Sequence, residues 1–304
     1  MYRILVPLDG SPHAERALGW SEVIARALDA EIFLVGLVAP GDKVEDDLAI
    51  DVPGDRESFE SRGDAMQSYL EEVNGRLQQV EPNAAPGIKS SAEVVLKGRT
   101  SGVLADFAKV QNVDLVVMAG DAFSGLRHGF RGSVTGDLVR AMGIPVISIG
   151  PRAADWPHVL PRIVLVPLDD SEHSRRILQL LAPLARACGS RLVLLRVVPW
   201  PTEVLAVQGA MIPMSLGKAR DPRAEDLEQL AADLRAKGME TEVRVVYGDR
   251  VQSILETGDE LHVGMIAMAT HSREGLGHWL FRSVAEEIVA AAGVPVLEFH
   301  CAGD

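Results

Sequence analysis

The chain carries the stretch Arg3-Ile-Leu-Val-Pro-Leu-Asp9 and repeats it almost unchanged as Ile163-Val-Leu-Val-Pro-Leu-Asp169. Each copy is followed by Ser-x-His, which begins at Ser11 in the first case and at Ser171 in the second. Both copies are nearly continuous apolar runs without polar alternation. Such runs are typical of strands that are buried on both faces, as in a parallel sheet covered by helices.

A second pair of matching segments closes each half of the chain. Arg131-Gly-Ser-Val-Thr-Gly-Asp137 leads into Ile144-Pro-Val-Ile147, and Arg282-Ser-Val-Ala-Glu286 leads into Val294-Pro-Val-Leu297. Matching openings and matching endings in the same order indicate a duplicated domain. The functional question therefore concerns one type of domain, present in two versions.

The length of the chain fits two domains of ordinary size. We expect a first domain over residues 1–150, a linker over residues 151–161 and a second domain over residues 162–304. The linker contains three prolines, which disfavour regular structure and keep the connection semi-stiff. Each half of this 304-residue chain is long enough to bury its own core.

Short apolar runs alternate with helix-length segments in both halves, in the order β-α-β-α-β-α-β-α-β. This order predicts two tandem doubly wound α/β domains, each with a parallel sheet. The predicted strands are residues 4–8, 32–38, 94–96, 115–119 and 145–149, then 164–168, 192–198, 243–247, 265–269 and 295–299. The predicted helices include residues 13–27, 100–109 and 250–259.

One insertion follows the second predicted strand of each half. Residues 40–58 are rich in Asp and Glu and are interpreted as an acidic loop. Residues 199–223 contain several prolines and the apolar segment Met211-Ile-Pro-Met214, which is either a lid or a packing contact. In doubly wound sheets, ligands bind beyond the carboxyl ends of the strands. Asp9 and Asp169 are therefore expected at the ligand edge.

Composition excludes several functional classes. The net charge is −13 and the pI is about 5.1, which argues against a nucleic-acid-binding protein because such proteins usually present a basic face. Two cysteines without a C-x-x-C motif are typical of a reduced, cytoplasmic protein. The segment before Ile4 resembles no signal peptide. No apolar run approaches the ~18 residues of a membrane span, so no membrane association is expected.

A glycine-containing loop follows the fourth predicted strand of each half, within residues 118–134 and 268–284. A strand, such a loop and a helix N-terminus together favour an anion, through backbone N–H groups and the helix dipole. Ser133 and Ser283 stand where the last helix of each half is predicted to start, so each is an N-cap that can also contact phosphate. Basic residues lie nearby, at Arg127, His128, Arg131, Arg273, His278 and Arg282.

Catalytic motifs are absent from the sequence. There is no Gly-x4-Gly-Lys-Ser/Thr segment, no Gly-x-Gly-x-x-Gly after the first strand and no Gly-x-Ser-x-Gly. Asp9 and Asp169 have two interpretations: each either caps the helix that follows or accepts hydrogen bonds from a base or a ribose. We therefore assign no catalytic residue and no metal ligand.

The repeated Val-Pro-Leu-Asp opening, the Gly-rich loop and the closing Ile-Pro-Val-Ile together resemble the universal stress protein family. The resemblance covers both halves of the chain outside the linker and the insertions. It implies two Rossmann-like domains, of the adenine nucleotide alpha hydrolase-like type, packed as an internal pseudo-dimer. The last strands of the two halves, residues 145–149 and 295–299, would then form the contact between them.

The resemblance also implies a set of nucleotide-binding positions. The adenine side falls on Asp9 and Leu37 in the first half, and on Asp169 and Val197 in the second. Family members that bind ATP use the loop pattern Gly-x2-Gly-x9-Gly-Ser/Thr. That pattern falls on Ala119, Ala122, Gly132 and Ser133, and again on Ala269, Ser272, Arg282 and Ser283.

Both loops depart from the family pattern. In the first loop, Asp121 adds a carboxylate, which repels phosphate. In the second loop, Arg282 replaces a glycine beside the start of the helix. Arg282 either blocks the phosphate path or pairs with a phosphate oxygen. The second half lacks the acidic residue and is the better candidate for binding.

Three functions remain open at this point, and they are ranked. The first is a regulatory module that binds ATP or another adenine nucleotide, with or without Mg²⁺, and changes its affinity for a protein partner through differential binding to two states. The second is a ligand-free interaction scaffold with degenerate loops. A slow nucleotide hydrolase ranks last, because the loops show no general base and no metal pair. A homodimer of the whole chain is also left open.

Overall fold

The computed structural model describes residues 1–37, 55–78, 88–95, 100–119, 143–153, 160–169, 171–199, 222–270 and 284–300. The strands are β1 Arg3–Leu8, β2 Glu31–Leu37, β3 Ser90–Val95, β4 Leu115–Ala119, β5 Val146–Ile149, β6 Ile163–Pro167, β7 Arg191–Val198, β8 Thr241–Tyr247, β9 Met265–Thr270 and β10 Val296–His300. The helices are α1 Pro12–Leu28, α2 Asp55–Gln78, α3 Thr100–Val110, α4 Glu172–Cys188, α5 Pro222–Ala236, α6 Arg250–Glu260 and α7 Val284–Ala291.

All ten strands join one sheet in the order β3-β2-β1-β4-β5-β10-β9-β6-β7-β8. Neighbouring strands within each half are parallel, whereas β5 and β10 pair antiparallel at the centre. The order reads the same outward from this central pair, so a pseudo-twofold axis relates the two halves. The predicted doubly wound architecture and the predicted contact between the last strands are both confirmed.

The apolar core is continuous across the central pair of strands. One cluster of buried side chains extends from Ile4 and Trp20 in the first half to Leu181 and Leu194 in the second. A second cluster lies beneath α6 and α7 and includes Ile288. Since the core crosses the centre of the sheet, the two halves bury apolar surface against each other and stabilise each other.

The third strand begins earlier than its apolar run indicates. The prediction of residues 94–96 is wrong at its start, because β3 begins at Ser90 and pairs with β2 from Ile32 onward. Among the described strands β3 pairs only with β2, at the end of the sheet. An end strand can begin with polar residues that leave no apolar signal in the sequence.

The two insertions are helical at their carboxyl ends. The loop interpretation of residues 40–58 is wrong from Asp55 onward, where α2 starts. The second insertion ends where α5 begins at Pro222, and a proline at the start of a helix gives up no helical hydrogen bond. The Met211–Met214 segment lies outside the described residues. None of the helices in the described ranges is long and apolar enough to cross a membrane.

Candidate functional site

The two repeated aspartates lie at the carboxyl edge of the sheet and make the same local contact. Asp9 Oδ1 accepts a hydrogen bond from the backbone N–H of Ser11 at 2.9 Å, and Asp169 Oδ1 accepts one from the N–H of Ser171, also at 2.9 Å. The serine hydroxyl then caps the following helix, since Ser11 and Ser171 each accept from a backbone N–H three residues on at 3.1 Å. The capping residue is thus the serine, and the aspartate holds the serine in place.

A buried arginine holds the strand end at Asp169 in the second half. Arg196 projects from β7 with only 5% of its side chain exposed, and its Nη2 donates to the backbone carbonyl of Asp169 at 3.3 Å. The same nitrogen lies 3.8 Å from Asp226 Oδ2. Asp226, on α5, also accepts two hydrogen bonds from Arg175 of α4, at 3.0 and 2.9 Å. Two guanidinium groups therefore flank one carboxylate beside Asp169.

Our predicted site does not include Arg196, although the sequence holds a signal for it. The residue interrupts the apolar run of β7. A charge inside a strand that is buried on both faces requires a partner, because an unpaired buried charge is costly. Its partner Asp226 lies on a helix that the apolar pattern does not mark.

The equivalent positions of the first half carry different chemistry. The residue four positions after Ser11 is Glu15, whereas the residue four positions after Ser171 is Arg175. Gly36 stands on β2 at the position that Arg196 has on β7, opposite the strand end. Met66 of α2 covers Gly36 so closely that a Cβ there would lie 2.5 Å from Met66 Cγ. A side chain like that of Arg196 would require the Met66 side chain to move.

Tyr69 and Arg76 of α2 both contact Glu15. The Tyr69 hydroxyl donates to Glu15 Oε1 at 3.1 Å, and Arg76 Nη2 lies 3.3 Å from Glu15 Oε2. Burial, with the added effect of the Glu15 carboxylate, raises the pKa of Tyr69 far above its usual value. The phenol therefore stays neutral and serves as a hydrogen-bond donor.

The charged groups at the two ligand edges differ as a result. In the first half, Glu15 pairs with Arg76 near the strand end. In the second half, the guanidinium groups of Arg175 and Arg196 flank Asp226. The second edge therefore brings two guanidinium groups close to the strand end, and such groups favour a phosphate-bearing ligand.

The other predicted positions lie at strand ends along the same edge where they are described. Ala119 ends β4, next to β1, and Ala269 lies near the end of β9, next to β6. Leu37 ends β2, and Val197 lies near the end of β7. The predicted loop positions outside the described residues are Ala122, Gly132, Ser133, Ser272, Arg282 and Ser283.

A further polar pair marks the edge of the second half. Thr270 Oγ1 lies 3.4 Å from His300 Nδ1, at the ends of β9 and β10. The predicted site does not contain His300, whose burial follows from its place beside the central strands. No group of three or more metal-ligating side chains occurs within the described part of the chain.

Comparison with known proteins agrees with this architecture. The model of the universal stress protein family matches residues 1–149 and again residues 161–300. The crystal structure of a universal stress protein from Archaeoglobus fulgidus DSM 4304 has 18% sequence identity and a TM-score of 0.69, and the match covers 98% of both chains. A functionally unknown protein from Pseudomonas aeruginosa PAO1 has 14% identity and a TM-score of 0.62, with 99% of this chain and 92% of that chain covered.

One shorter protein of known structure is described with a nucleotide. It is a universal stress protein from Archaeoglobus fulgidus in complex with dAMP, with 22% identity and a TM-score of 0.32, covering 45% of this chain and 94% of that chain. The dAMP belongs to that protein. The two full-length likenesses, at 18% and 14% identity, show the fold.

Proposed function

Because the chain belongs to the universal stress protein family, we propose that it is a regulatory adenine-nucleotide-binding protein whose second half holds the nucleotide. The observation that carries this proposal is the buried guanidinium of Arg196, which donates to the backbone carbonyl of Asp169 and has Gly36 in its place in the first half. The proposed ligand is ATP or another adenine nucleotide, with or without Mg²⁺. Its base would contact Asp169 and Val197, and its phosphates would extend toward Ala269 and the loop that follows.

Arg196 supports this assignment through the backbone at Asp169. A hydrogen bond from a guanidinium to a carbonyl is charge-assisted and stronger than a neutral one. It holds the end of β6 in position, so less conformational freedom is lost when a ligand binds there. The first half has Gly36 at this position and no such hydrogen bond can form from it.

The first half is less suited to a nucleotide because Gly36 and Glu15 stand where the second half has the guanidinium groups of Arg196 and Arg175. We therefore propose that the first half has a supporting role, and that the nucleotide state of the second half controls the affinity for a protein partner. A ligand can do this only by binding two states of the protein unequally.

Removal of each repeated aspartate tests the proposal directly. Mg-ATP at 100 times its dissociation constant should stabilise the wild-type protein by about 2.7 kcal/mol, which raises the unfolding temperature by a few degrees. Asp169→Ala should abolish this shift, whereas Asp9→Ala should retain it. Each variant loses a 2.9 Å hydrogen bond from a serine N–H, and Asp169→Ala also loses the one that the Ser171 hydroxyl donates to Asp169 Oδ1 at 2.5 Å. Thermal unfolding and calorimetric titration measure the effect.

The outcomes separate the candidate functions. Loss of the shift in Asp9→Ala alone would place the nucleotide in the first half. No shift with ATP, ADP, AMP or cyclic AMP in the wild-type protein would favour the scaffold, which the altered loop residues Asp121 and Arg282 already support. In that case, the protein that the scaffold binds is the next ligand to identify.

A charge reversal tests the electrostatic argument separately. Arg175→Glu gives the second half the residue that the first half carries at this position, and it also separates Asp226 from its bidentate partner. We expect nucleotide affinity to fall about 3- to 10-fold at low salt, from the Coulomb energy of one reversed charge. The difference from wild type should shrink at about 0.5 M salt, because ions screen exposed charges. Equal weakening at both salt concentrations would contradict the electrostatic explanation.

A further inference from the structure

The seam between the halves pairs two unlike polar residues at equivalent positions. The antiparallel register of β5 and β10 is centred on Ile147 opposite Leu297. Ser148 follows one of these residues and Glu298 follows the other, so the pseudo-twofold axis exchanges them. The Ser148 hydroxyl donates to Glu298 Oε1 at 2.6 Å. Both side chains are buried, Ser148 completely and Glu298 to 4% exposure.

This contact supplies the buried carboxylate of Glu298 with a hydrogen-bond donor, which a second glutamate could not provide. A buried carboxylate needs hydrogen-bond donors to offset its lost hydration, and a hydroxyl supplies one of them. If β10 paired in the same register with β10 of a second copy, a second Glu298 would take the place of Ser148. Two buried carboxylates would then meet, and each would lack the donor that Ser148 provides.

A second position at the seam discriminates in the same direction. Gly150 lies three residues beyond the centre of the register, and His300 occupies the equivalent position in the second half. A Cβ atom on Gly150 would overlap the backbone carbonyl oxygen of Val289, on α7 of the other half. His300 of a second copy would bring a Cβ to this place, and the carbonyl could not move aside without distorting the helix.

We propose that these two positions make the seam selective for unlike halves. The contact of Ser148 with Glu298, and the close approach of Gly150 to Val289, direct β5 onto β10 and disfavour pairing of a second half with another second half. The strand edge at the centre of the sheet is thus covered by the other half of the same chain. Selectivity of this kind arises from clashes and unpaired charges in the unwanted complex.

The experiment exchanges the residues within the full-length chain. Ser148→Glu should raise the equilibrium constant for unfolding about 100-fold or more, since it places two buried carboxylates together. The double variant S148E/E298S restores one carboxylate and one hydroxyl with their places exchanged. Its equilibrium constant for unfolding should be at least about tenfold lower than that of Ser148→Glu. Urea unfolding followed by circular dichroism measures all variants.

A matched variant separates charge from size. Ser148→Gln adds a side chain as large as that of glutamate, but its amide can donate to Glu298, so it should lose clearly less stability than Ser148→Glu. Equal losses in the two variants would show that bulk alone matters and would overturn the charge selectivity. A double variant no more stable than Ser148→Glu would overturn the pairing as well. Glu298→Gln removes the other carboxylate. The double variant S148E/E298Q should therefore be more stable to unfolding than Ser148→Glu alone.

Discussion

The Gly150→Ala variant is expected to lose about 3 kcal/mol of unfolding free energy, at the upper end of the range for overpacked sites. Gly150 follows β5 of the first half, and an added Cβ would overlap the carbonyl oxygen of Val289 in α7 of the second half. That oxygen is part of the helix backbone, so it cannot rotate away like the end of a side chain. Relief requires α7 to shift from the sheet, which exposes apolar surface such as Ile288.

Two further variants make this result interpretable. Gly19→Ala is the matched control, because Gly19 lies inside α1 and an added Cβ meets nothing within 4 Å. It should be neutral or stabilising by about 0.5–1 kcal/mol, since alanine is the better helix former. Val289→Ala should not rescue Gly150→Ala, because it leaves the carbonyl in place. Rescue by Val289→Ala would mean that the clash involves the side chain instead, and urea unfolding distinguishes the two.

Trp20→Ala should cost about 3–5 kcal/mol, the range measured for removing large aromatic side chains from protein cores. Trp20 lies on α1 with 1% of its surface exposed, in the cluster that runs through both halves. Its loss leaves a cavity where α1 packs on the sheet, and the surrounding chain can collapse only partly. Chemical denaturation followed by far-ultraviolet circular dichroism measures the change without relying on tryptophan fluorescence.

The control for this variant is Trp20→Phe, which keeps most of the apolar volume and should lose clearly less stability. A loss below about 1 kcal/mol in Trp20→Ala would contradict the packing that the structure describes, because no buried side chain of this size is so easily replaced. Since the cluster spans the seam, the loss should appear in a single transition of the whole chain. Separate transitions for the two halves would show that the shared core contributes little.

Much of the fold could be predicted because local pattern and tertiary environment agree. The continuous apolar runs of β1 and β6 indicate strands buried on both faces, and the structure places them there. The helix predicted at residues 13–27 is observed over Pro12–Leu28, where Ser11 caps its start. The prediction is wrong at β3 because a polar start at the end of the sheet leaves no apolar signal.

The candidate site could be predicted only at the positions that the chain repeats. Asp9 and Asp169 stand out because the same short segment precedes both. Arg196 and Asp226 do not, because their contact joins a strand and a helix that are distant in sequence and repeat nothing in the first half. A pairing of this kind depends on which helix covers which strand, and the apolar period of either segment alone does not contain that information.

The sequence by itself determined the duplication, the doubly wound class and the strand ends at which a ligand is expected. These follow from short-range pattern, since burial on both faces and helix capping are read within a few residues. Only the tertiary structure decided that Arg196 reaches the backbone of Asp169 and that the seam joins Ser148 to Glu298. Those two residues are 150 positions apart, and only the antiparallel register of the central strands brings a hydroxyl within reach of a buried carboxylate.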